Sequence, residues 1–346
     1  MKAVVMNGFG GPEVLNYQDV DTPEIGPEDV LVEVHAVSIN RTFDLFLREN
    51  TYAYTPDLPH IMGVDPSGVI TAVGENVTDR KVGDRVFCSI FVPTTRPDPY
   101  MSLPGLGPVD FLGVTVWGGN AQYVRTMASR TVPVPDNLNF HEATVIGRHL
   151  ATAVNQVDNV LKAKEGDTVL VMGATGGLGA ACIQVAKWAG ARVIAAAGAD
   201  DRVAATLELG ADHGINYRSH DLTEEILKLT DGQGVTGVCD SVADPETFNQ
   251  VIHSMARGAT LVTAGNASGA PDVPLSVRRL YLYMLHIVGE PREAPGGLEQ
   301  AFVRAGQGGV KALIDQVMPL SQAADAHRRV ESRAGIGKVV LDPTLD

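Results

Sequence analysis

The stretch 171-VMGATGGLGAACIQVAKWAGARVIAAAGADDR-202 constrains this chain more than any other. An apolar run ends at Met172 and meets a turn with glycine at 173, 176, 177 and 179. The turn opens into a long apolar-periodic run that stops at Gly190, and a second apolar run, 192-RVIAAA-197, follows at once. Strand, tight turn, helix and strand in that order make a βαβ unit with parallel strands. Glycines in a G-x-x-G-x-x-G order at the head of a helix let the backbone approach a phosphate, and the helix N-terminus offers it N–H groups and a positive dipole end. The spacing predicts that Gly176 and Gly177 adopt backbone angles barred to other residues, and that Gly179 lets the helix pack close to the strand. In this context the pattern points to a bound dinucleotide. A turn that only joined two elements would not need three glycines at these spacings. No Lys-Ser or Lys-Thr pair closes the turn, which argues against a nucleoside triphosphatase loop.

The same rhythm continues beyond the turn. The first strand is 168-TVLVMG-173, and further strands are expected at 235-VTGVCDSV-242, 259-ATLVTAG-265 and 285-LHIVGE-290, with helices at 178–190 and 201–210 that each stop at glycine. Near-continuous apolar strands alternating with helices predict an α/β fold with a Rossmann-type, doubly wound parallel sheet. The first 125 residues read differently. Short alternating runs such as 30-VLVEVHAVSI-39, 68-GVITAVG-74 and 84-DRVFCSI-90, separated by Gly, Pro, Asn and Asp, predict a strand-rich, barrel-like or sandwich-like unit. The stretch 92-VPTTRPDPYMSLPGLGPVDFLG-113 is dense in Pro and Gly and reads as a long loop. After 290, a helix at 297–306 leads to a strand at 336–342. The chain is too long for one ordinary core, so two domains are expected: 1–125 with 291–346, and 126–290. The cleft between them is the expected site for a small molecule.

Charge narrows the function. A net charge of −14 excludes a phosphate-backbone binder, so no nucleic acid is expected. Cys88, Cys182 and Cys239 are scattered and form no CxxC pair, which fits a reducing compartment. MKAVVMNGFG is not a signal peptide, and the apolar run 280-LYLYMLHIV-288 is too short to span a bilayer. The expected setting is cytoplasmic, away from membranes. As for the dinucleotide, an NAD site places Asp or Glu at the end of the second strand, whereas Ala197 and Gly198 stand there. An uncharged strand end with Arg202 nearby favours NADPH. NADH stays open if Asp200 or Asp201 faces the ribose instead.

A set of further motifs makes the chain resemble a known family. They are 40-NRTFDLFLRENTY-52, 62-MGVDPSGVITAVGENV-77, 82-VGDRV-86, 118-GGNAQYV-124, 173-GATGGLG-179, 209-LGADHGINYR-218, 239-CDSV-242 and 337-GKVVL-341. Over nearly the whole length the sequence resembles the medium-chain dehydrogenase/reductase superfamily, in its zinc-independent quinone oxidoreductase-like branch. The resemblance implies a GroES-like barrel domain beside the Rossmann domain, and homodimers joined at the edge of the nucleotide sheet, for which the apolar 280–290 stretch is suited. The zinc-dependent relatives carry Cys where Asn40 lies, His and Glu at Val64 and Asp65, and Cys or Asp near Arg148. Asp65 alone cannot hold a zinc ion that needs three protein ligands, so no metal is expected. Without a Lewis acid, the chemistry implied is hydride delivery to an electron-poor acceptor: a quinone, an enone, an enal or an enoyl thioester. A zinc-free alcohol or aldehyde dehydrogenase and a low-turnover NADPH-binding protein remain as alternatives.

Site residues follow from the resemblance one position at a time. Gly173, Ala174, Thr175, Gly176, Gly177, Leu178 and Gly179 would line the pyrophosphate, and Arg202 and Tyr217 the adenosine phosphate. Asp240, Ser241 and Val242, then Gly265, Asn266 and Ser268, end strands where ligands sit in parallel sheets. Lys338 would reach the cofactor or serve as a solvated turn residue. Asn40 would bind the nicotinamide ribose or the substrate oxygen, or else cap a turn. Tyr52 is the candidate proton donor, with an amphipathic wall residue as the other reading. Glu49-Asn50 departs from the family's x-Gly and puts the setting of the Tyr52 loop in doubt. Phe43, Phe46, Tyr54, Phe91 and Trp117 are candidates for an apolar acceptor pocket. Arg148 is a candidate contact for an anionic substrate, His149 reads as buried and satisfied, and Cys88 as inert core.

Overall fold

The computed structural model describes residues 1–95, 101–103, 107–294 and 296–346. The chain forms two compact units, Met1–Arg148 with Phe302–Asp346, and His149–Ala301. The change of rhythm in the sequence placed the divisions at 125/126 and 290/291. They fall later because Thr131–Pro133 still pairs with the strand Arg85–Cys88 of the first unit. Both divisions lie inside helices, Phe140–Val154 and Gly297–Gly306, which pattern reading cannot split. Among the described residues, no helix is long and apolar enough to cross a membrane.

The second unit is a six-stranded parallel sheet in the order His213–Asn216, Arg192–Ala197, Thr168–Met172, Val235–Cys239, Met255–Thr263, His286–Gly289. The strand order reverses at Thr168–Met172, with successive strands added first on one side of it and then on the other, so the carboxyl ends of Thr168–Met172 and Val235–Cys239 flank a switch point where α/β sheets take ligands. Continuous burial along Arg192–Ala197 and Thr168–Met172 matches the apolar runs that define them. The expected helices are there as Gly177–Trp188 and Asp200–Glu208, and Gly190 and Gly210 follow them at φ of 80° and 101°. The strand His213–Asn216 was not expected, since only four residues carry it and one of them is Gly214.

The first unit is strand-rich. Asp29–Ser38 is its central strand and buries Val30, Val32, Val34 and Ala36 on one face, as its alternation predicts. It pairs with Ser67–Val73 on one edge and with Tyr123–Met127 and then Lys338–Asp342 on the other. The carboxy-terminal strand Lys338–Asp342 thus enters a sheet built mainly by the first 133 residues. The expected loop 92–113 is instead partly ordered as strands: Phe91–Pro93, Met101–Leu103 and Gly107–Phe111 form a three-stranded antiparallel sheet. Proline and glycine there mark the turns of short strands rather than an unstructured loop. Residues 96–100 and 104–106 of that stretch lie outside the described residues.

Candidate active site

Two groups of functional candidates emerge, one in each unit. In the second unit the glycine turn sits at the carboxyl end of Thr168–Met172. Gly173 takes φ 60°, the left-handed region, and its missing Cβ leaves room for Val242 Cγ2, which would otherwise lie 2.7 Å away. The expectation for Gly176 and Gly177 is corrected here. Gly176 has φ −76° and Gly177 is helical, so neither needs a glycine-only backbone. Gly177 is required for another reason: a Cβ there would stand 2.2 Å from His149 Nε2. Gly179 behaves as expected, because a Cβ would meet Gly173 O at 2.4 Å and Ala174 Cα at 2.9 Å. Ala174 and Thr175 are buried in the turn, with Ala174 N–H donating to Ala196 O. The helix begins at Gly177 with Leu178 in its first turn, and its N-cap, Gly176, brings no capping side chain. The helix N-terminus therefore keeps its donors for a ligand.

The neighbouring strand ends are stitched together beside this turn. Ala267 N–H donates to Ser241 O and Ser268 N–H to Val242 O. Ser268 Oγ donates to Ala243 O at 2.8 Å and to Asn266 Oδ1 at 2.9 Å, and Asn266 Nδ2 donates to Ala270 O. Gly265 packs against Ser241, which a Cβ would contact at 3.8 Å. Asp240 Oδ1 accepts from Val242 N–H and Ala243 N–H, fixing the turn that carries them. At the end of Arg192–Ala197, Gly198 leaves space for the Tyr217 hydroxyl, 2.9 Å from where a Cβ would be. Arg202 lies in the first turn of the next helix. Asp200 does not cap that helix, whose N-cap is Ala199. Its Oδ1 accepts from Asn216 Nδ2 instead.

The second group is a buried polar knot in the first unit. Lys338 Nζ donates to Asn40 Oδ1 at 2.7 Å and to Ile39 O at 2.5 Å. Asn40 Nδ2 donates to Asp65 Oδ2 at 2.8 Å and to Ser38 O at 3.1 Å. Asp65 further accepts from Ser38 N–H, Ser38 Oγ and Thr144 Oγ1. Asn40 N–H donates to Asp44 Oδ2 at 2.7 Å, which fixes the entry to the short π-helical turn Arg41–Leu45. All of these side chains are buried. Burial lowers Lys338 to a pKa of about 8 and raises Asp44 to about 7. Asn40 thus has both amide hydrogens engaged within the knot, and Lys338 is buried rather than a solvated turn residue.

An aromatic wall stands close by. Tyr52 is half-buried and its ring lies 5.6 Å from that of Phe43. Arg148 stacks over the other candidate ring, Phe43, at 5.0 Å. Tyr54 and Phe91 join Phe43 and Tyr52 in one apolar cluster, where Phe91 meets Phe111 edge-on at 5.1 Å. Phe46 packs into the barrel core and Trp117 is largely exposed, so neither belongs to this wall. The Tyr52 loop is pinned despite its Glu49-Asn50 departure. Arg48 is fully buried and donates to Gly10 O, Glu49 and Glu331, and its Nη1 meets His327 Nδ1 at 3.2 Å. Asn50 supplies the positive φ, 55°, that glycine would otherwise provide.

Sequence reasoning did not assign roles to Asp44, Ser38, Thr144 or Arg41. Asp44 lay in the quoted 40–52 motif and carried that signal; Thr144 had none. Arg41 follows Asn40, and its Nε and Nη1 are buried with no hydrogen-bond partner, which suits an anion. Cys88 is buried and its thiol is pushed up to about 12, as inert core requires. Among the described residues, no three His, Cys, Asp or Glu side chains stand together in a way that could hold a metal ion.

Comparison with known proteins agrees with this architecture. Residues 26–136 match the family model of the alcohol dehydrogenase GroES-like domain, and 177–302 match that of zinc-binding dehydrogenase. A quinone oxidoreductase of Lama guanicoe is 30% identical, with 99% of this chain and 97% of that protein covered. An alcohol dehydrogenase of Geobacillus stearothermophilus is 31% identical, with 99% of each covered. Among solved structures, an NAD-dependent alcohol dehydrogenase is 36% identical at a TM-score of 0.92, with 99% of each chain covered.

Proposed function

We propose that this chain, which belongs to the medium-chain dehydrogenase/reductase superfamily in its quinone oxidoreductase-like branch, is a zinc-independent, NADPH-dependent reductase of quinones or activated C=C bonds. It is an oxidoreductase of a family that uses a nicotinamide cofactor. A bound nicotinamide dinucleotide would supply the hydride. The residues suited to holding it are the turn Gly173–Gly179, with its uncapped helix N-terminus, the strand ends at Ser241–Val242 and Gly265–Ser268, and Tyr217 and Arg202 beside Gly198. The absence of an acid at Ala197 and Gly198, with Arg202 on the next turn, supports NADPH.

The observation that carries the zinc-free reading is the Lys338–Asn40–Asp65 knot. In the positions that resemblance gives to metal ligands, the amide of Asn40 and the carboxylate of Asp65 are occupied by hydrogen bonds. An ammonium already stands among them, and a divalent cation would meet its repulsion. The donor set does not suit zinc, which takes three protein N, S or O ligands and keeps one position open. In this proposal Asn40 is a positioning residue: it aims Lys338. The remaining N–H of Lys338 offers positive charge to an acceptor's developing oxyanion or to a cofactor oxygen. Tyr52 O–H, set by Phe43 beside it, is the donor that delivers the proton, and the Phe43–Tyr54–Phe91 wall excludes water around a flat acceptor. The edge strand His286–Gly289, with Tyr281, Leu282, Met284 and Ile287 exposed beside it, supports a homodimer joined along that edge. The proposed setting is the cytoplasm.

One observation favours a second reading. The solved relative at 36% identity is described as an NAD-dependent alcohol dehydrogenase, so oxidation of an alcohol with NAD is the competing activity. A single assay separates the two. Loss of reduced-nicotinamide absorbance is followed with NADPH and with NADH against a benzoquinone, an enone, an enal, an enoyl thioester and an aldehyde, with and without chelator. The reverse reaction is run with NAD and simple alcohols. Chelator-insensitive turnover of a quinone or alkene is expected. Alcohol oxidation as the main activity, or activity abolished by chelator and restored by zinc, would overturn the proposal.

A further inference from the structure

The sequence holds one Asn-Gly pair, Asn7–Gly8, and one Asp-Gly pair, Asp231–Gly232. In an open chain both pairs react spontaneously. The main-chain nitrogen of the glycine attacks the side-chain carbonyl carbon, Cγ, of the residue before it, and glycine has no Cβ to obstruct that approach. Asn7 and Asp231 are both exposed, so exposure does not separate the two pairs. The fold separates them by what it does with the attacking nitrogen.

At Asp231 the nitrogen is held. Gly232 N–H donates to Leu227 O at 2.8 Å, in the turn that follows the helix Leu222–Leu229, and Asp231 itself sits at φ 49°. An amide held by a carbonyl must open before it can act as a nucleophile. At Asn7 nothing holds it. The strand Lys2–Met6 ends one residue earlier, where Met6 and His60 exchange two main-chain hydrogen bonds of 2.8 and 3.0 Å. The next anchor is Gly10, whose N–H donates to Arg48 O at 3.0 Å and whose carbonyl accepts from Arg48 Nε at 2.9 Å. Between those anchors, among the described residues, neither the Asn7 side-chain amide nor the Gly8 N–H has a hydrogen-bond partner. A Cβ built on Gly8 would meet nothing within 4 Å, so a ring has room to close there.

We infer that Asn7 is a site of spontaneous modification in the folded protein, and that Asp231 is protected. Gly8 N bonds to Asn7 Cγ and ammonia leaves, which closes a succinimide ring. Water then opens either carbonyl of the ring, giving aspartate or isoaspartate. The sum is hydrolysis of one amide, water in and ammonia out, with no oxidant or reductant. The isoaspartyl product adds a methylene to the main chain between two anchored points. The lengthened segment carries Phe9, which packs in the cluster of Phe43 and Tyr52, and leads into Gly10, which holds the Arg48 that pins the Tyr52 loop. The inference does not depend on which acceptor the enzyme reduces.

The folded protein and the protein unfolded in guanidinium chloride, aged side by side at mildly alkaline pH and then digested, test it. Mass spectrometry reads the exchange of NH2 for OH at Asn7. Methyl transfer from labelled S-adenosylmethionine by an isoaspartyl methyltransferase reads isoaspartate at either position. In the folded protein Asn7 should react within about threefold of its unfolded rate, because no hydrogen bond has to open. Asp231 should be labelled at least about fivefold more slowly in the folded protein than in the unfolded one, the cost of opening one hydrogen bond. Asn7→Gln changes an exposed, unpaired side chain and disfavours the ring, and should remove the folded-state label from this segment. Asn7 left intact in the folded chain while the unfolded chain reacts would overturn the inference. So would a folded-state label that Asn7→Gln does not reduce. Folded Asp231 reacting at its full unfolded rate would overturn it too, since the hydrogen bond on the attacking nitrogen would then decide nothing.

Discussion

The glycine turn of the second unit and the polar knot of the first are both compact, but they are built in opposite ways. The turn is seven consecutive residues that work through backbone and through absent side chains. The knot joins Ser38, Asn40, Asp44, Asp65, Thr144 and Lys338, with 298 positions between Asn40 and Lys338. The turn carries no charge. The knot gathers one amine and two carboxyl groups in a buried interior. This difference predicts how each should fail: the turn by steric contact, the knot by electrostatics.

The largest effect is expected at the knot. Lys338→Met would leave Asp44 and Asp65 buried without their cation. Removing one partner of a buried charge group costs on the order of 3–5 kcal/mol. Chemical denaturation should show that loss, and turnover should fall about a hundredfold or more if the ammonium acts on the acceptor or cofactor. A Lys338→Met protein with the parent's stability would break the contrast drawn here, because the knot would then not be an electrostatic unit.

The turn should fail by contact, and its glycines should fail differently from each other. Gly177→Ala drives a Cβ to 2.2 Å from His149 Nε2, a side chain that can be removed. Gly179→Ala drives one to 2.4 Å from Gly173 O, which is backbone and cannot be. Each change should destabilise by about 1–3 kcal/mol as overpacking does. Adding His149→Ala should restore most of the Gly177→Ala loss, and none of the Gly179→Ala loss. A double-mutant cycle on unfolding free energies measures both couplings. Equal rescue in the two cases would show that the helix shifts as a body and that the contacts are not local.

What was legible in the sequence follows the same division. The turn could be read because its cause is local: strand, glycines, helix and second strand follow one another within 32 residues. Even so, the reason for Gly177 was hidden, because His149 stands 28 positions earlier and no spacing rule connects them. The knot was legible only as separate residues. Asn40 and Lys338 were singled out for different tasks, and their hydrogen bond depends on the carboxy-terminal strand entering the amino-terminal sheet beside Ser38. The Phe91–Phe111 sheet was masked by prolines and glycines that mimic loop composition. Strand pairing across long separations has no local signature, and it decides where these side chains meet.

The contrast also predicts where pH acts. The first unit holds the buried histidines His60 and His327 and the buried Lys338, so pH sensitivity from these groups should come from it. His327 is buried against Arg48, and burial with that guanidinium lowers it to about 3. Its folded value lies below the unfolded one near 6.5. Above pH 6.5 both states are neutral and stability is unaffected. As pH falls below 6.5 only the unfolded chain takes up the proton, so stability drops, by about 2 kcal/mol at pH 5. His327→Gln should remove that share of the acid-side loss, with Arg48 still able to donate to the amide oxygen, and leave the share of His60, which burial lowers to about 4. Turnover carries a separate signature at the other end. Lys338 loses its charge as pH rises through about 8, so a rate that depends on the ammonium should decline there. A stability profile unchanged by His327→Gln would mean that another group in the unit takes the proton.

The smallest effect is expected in the second unit, at Arg202. Arg202 sits at a helix start beside Gly198 and Tyr217, where no acid from the preceding strand competes. If it pairs with a 2′-phosphate, Arg202→Ala should raise the KM for NADPH about tenfold, the value of one charge-assisted contact at a partly solvated site. The KM for NADH should not move, since NADH lacks that phosphate. An equal change for both cofactors would place Arg202 on a part they share. No change for either would remove the argument for NADPH, and would favour the NAD preference described for the solved relative at 36% identity.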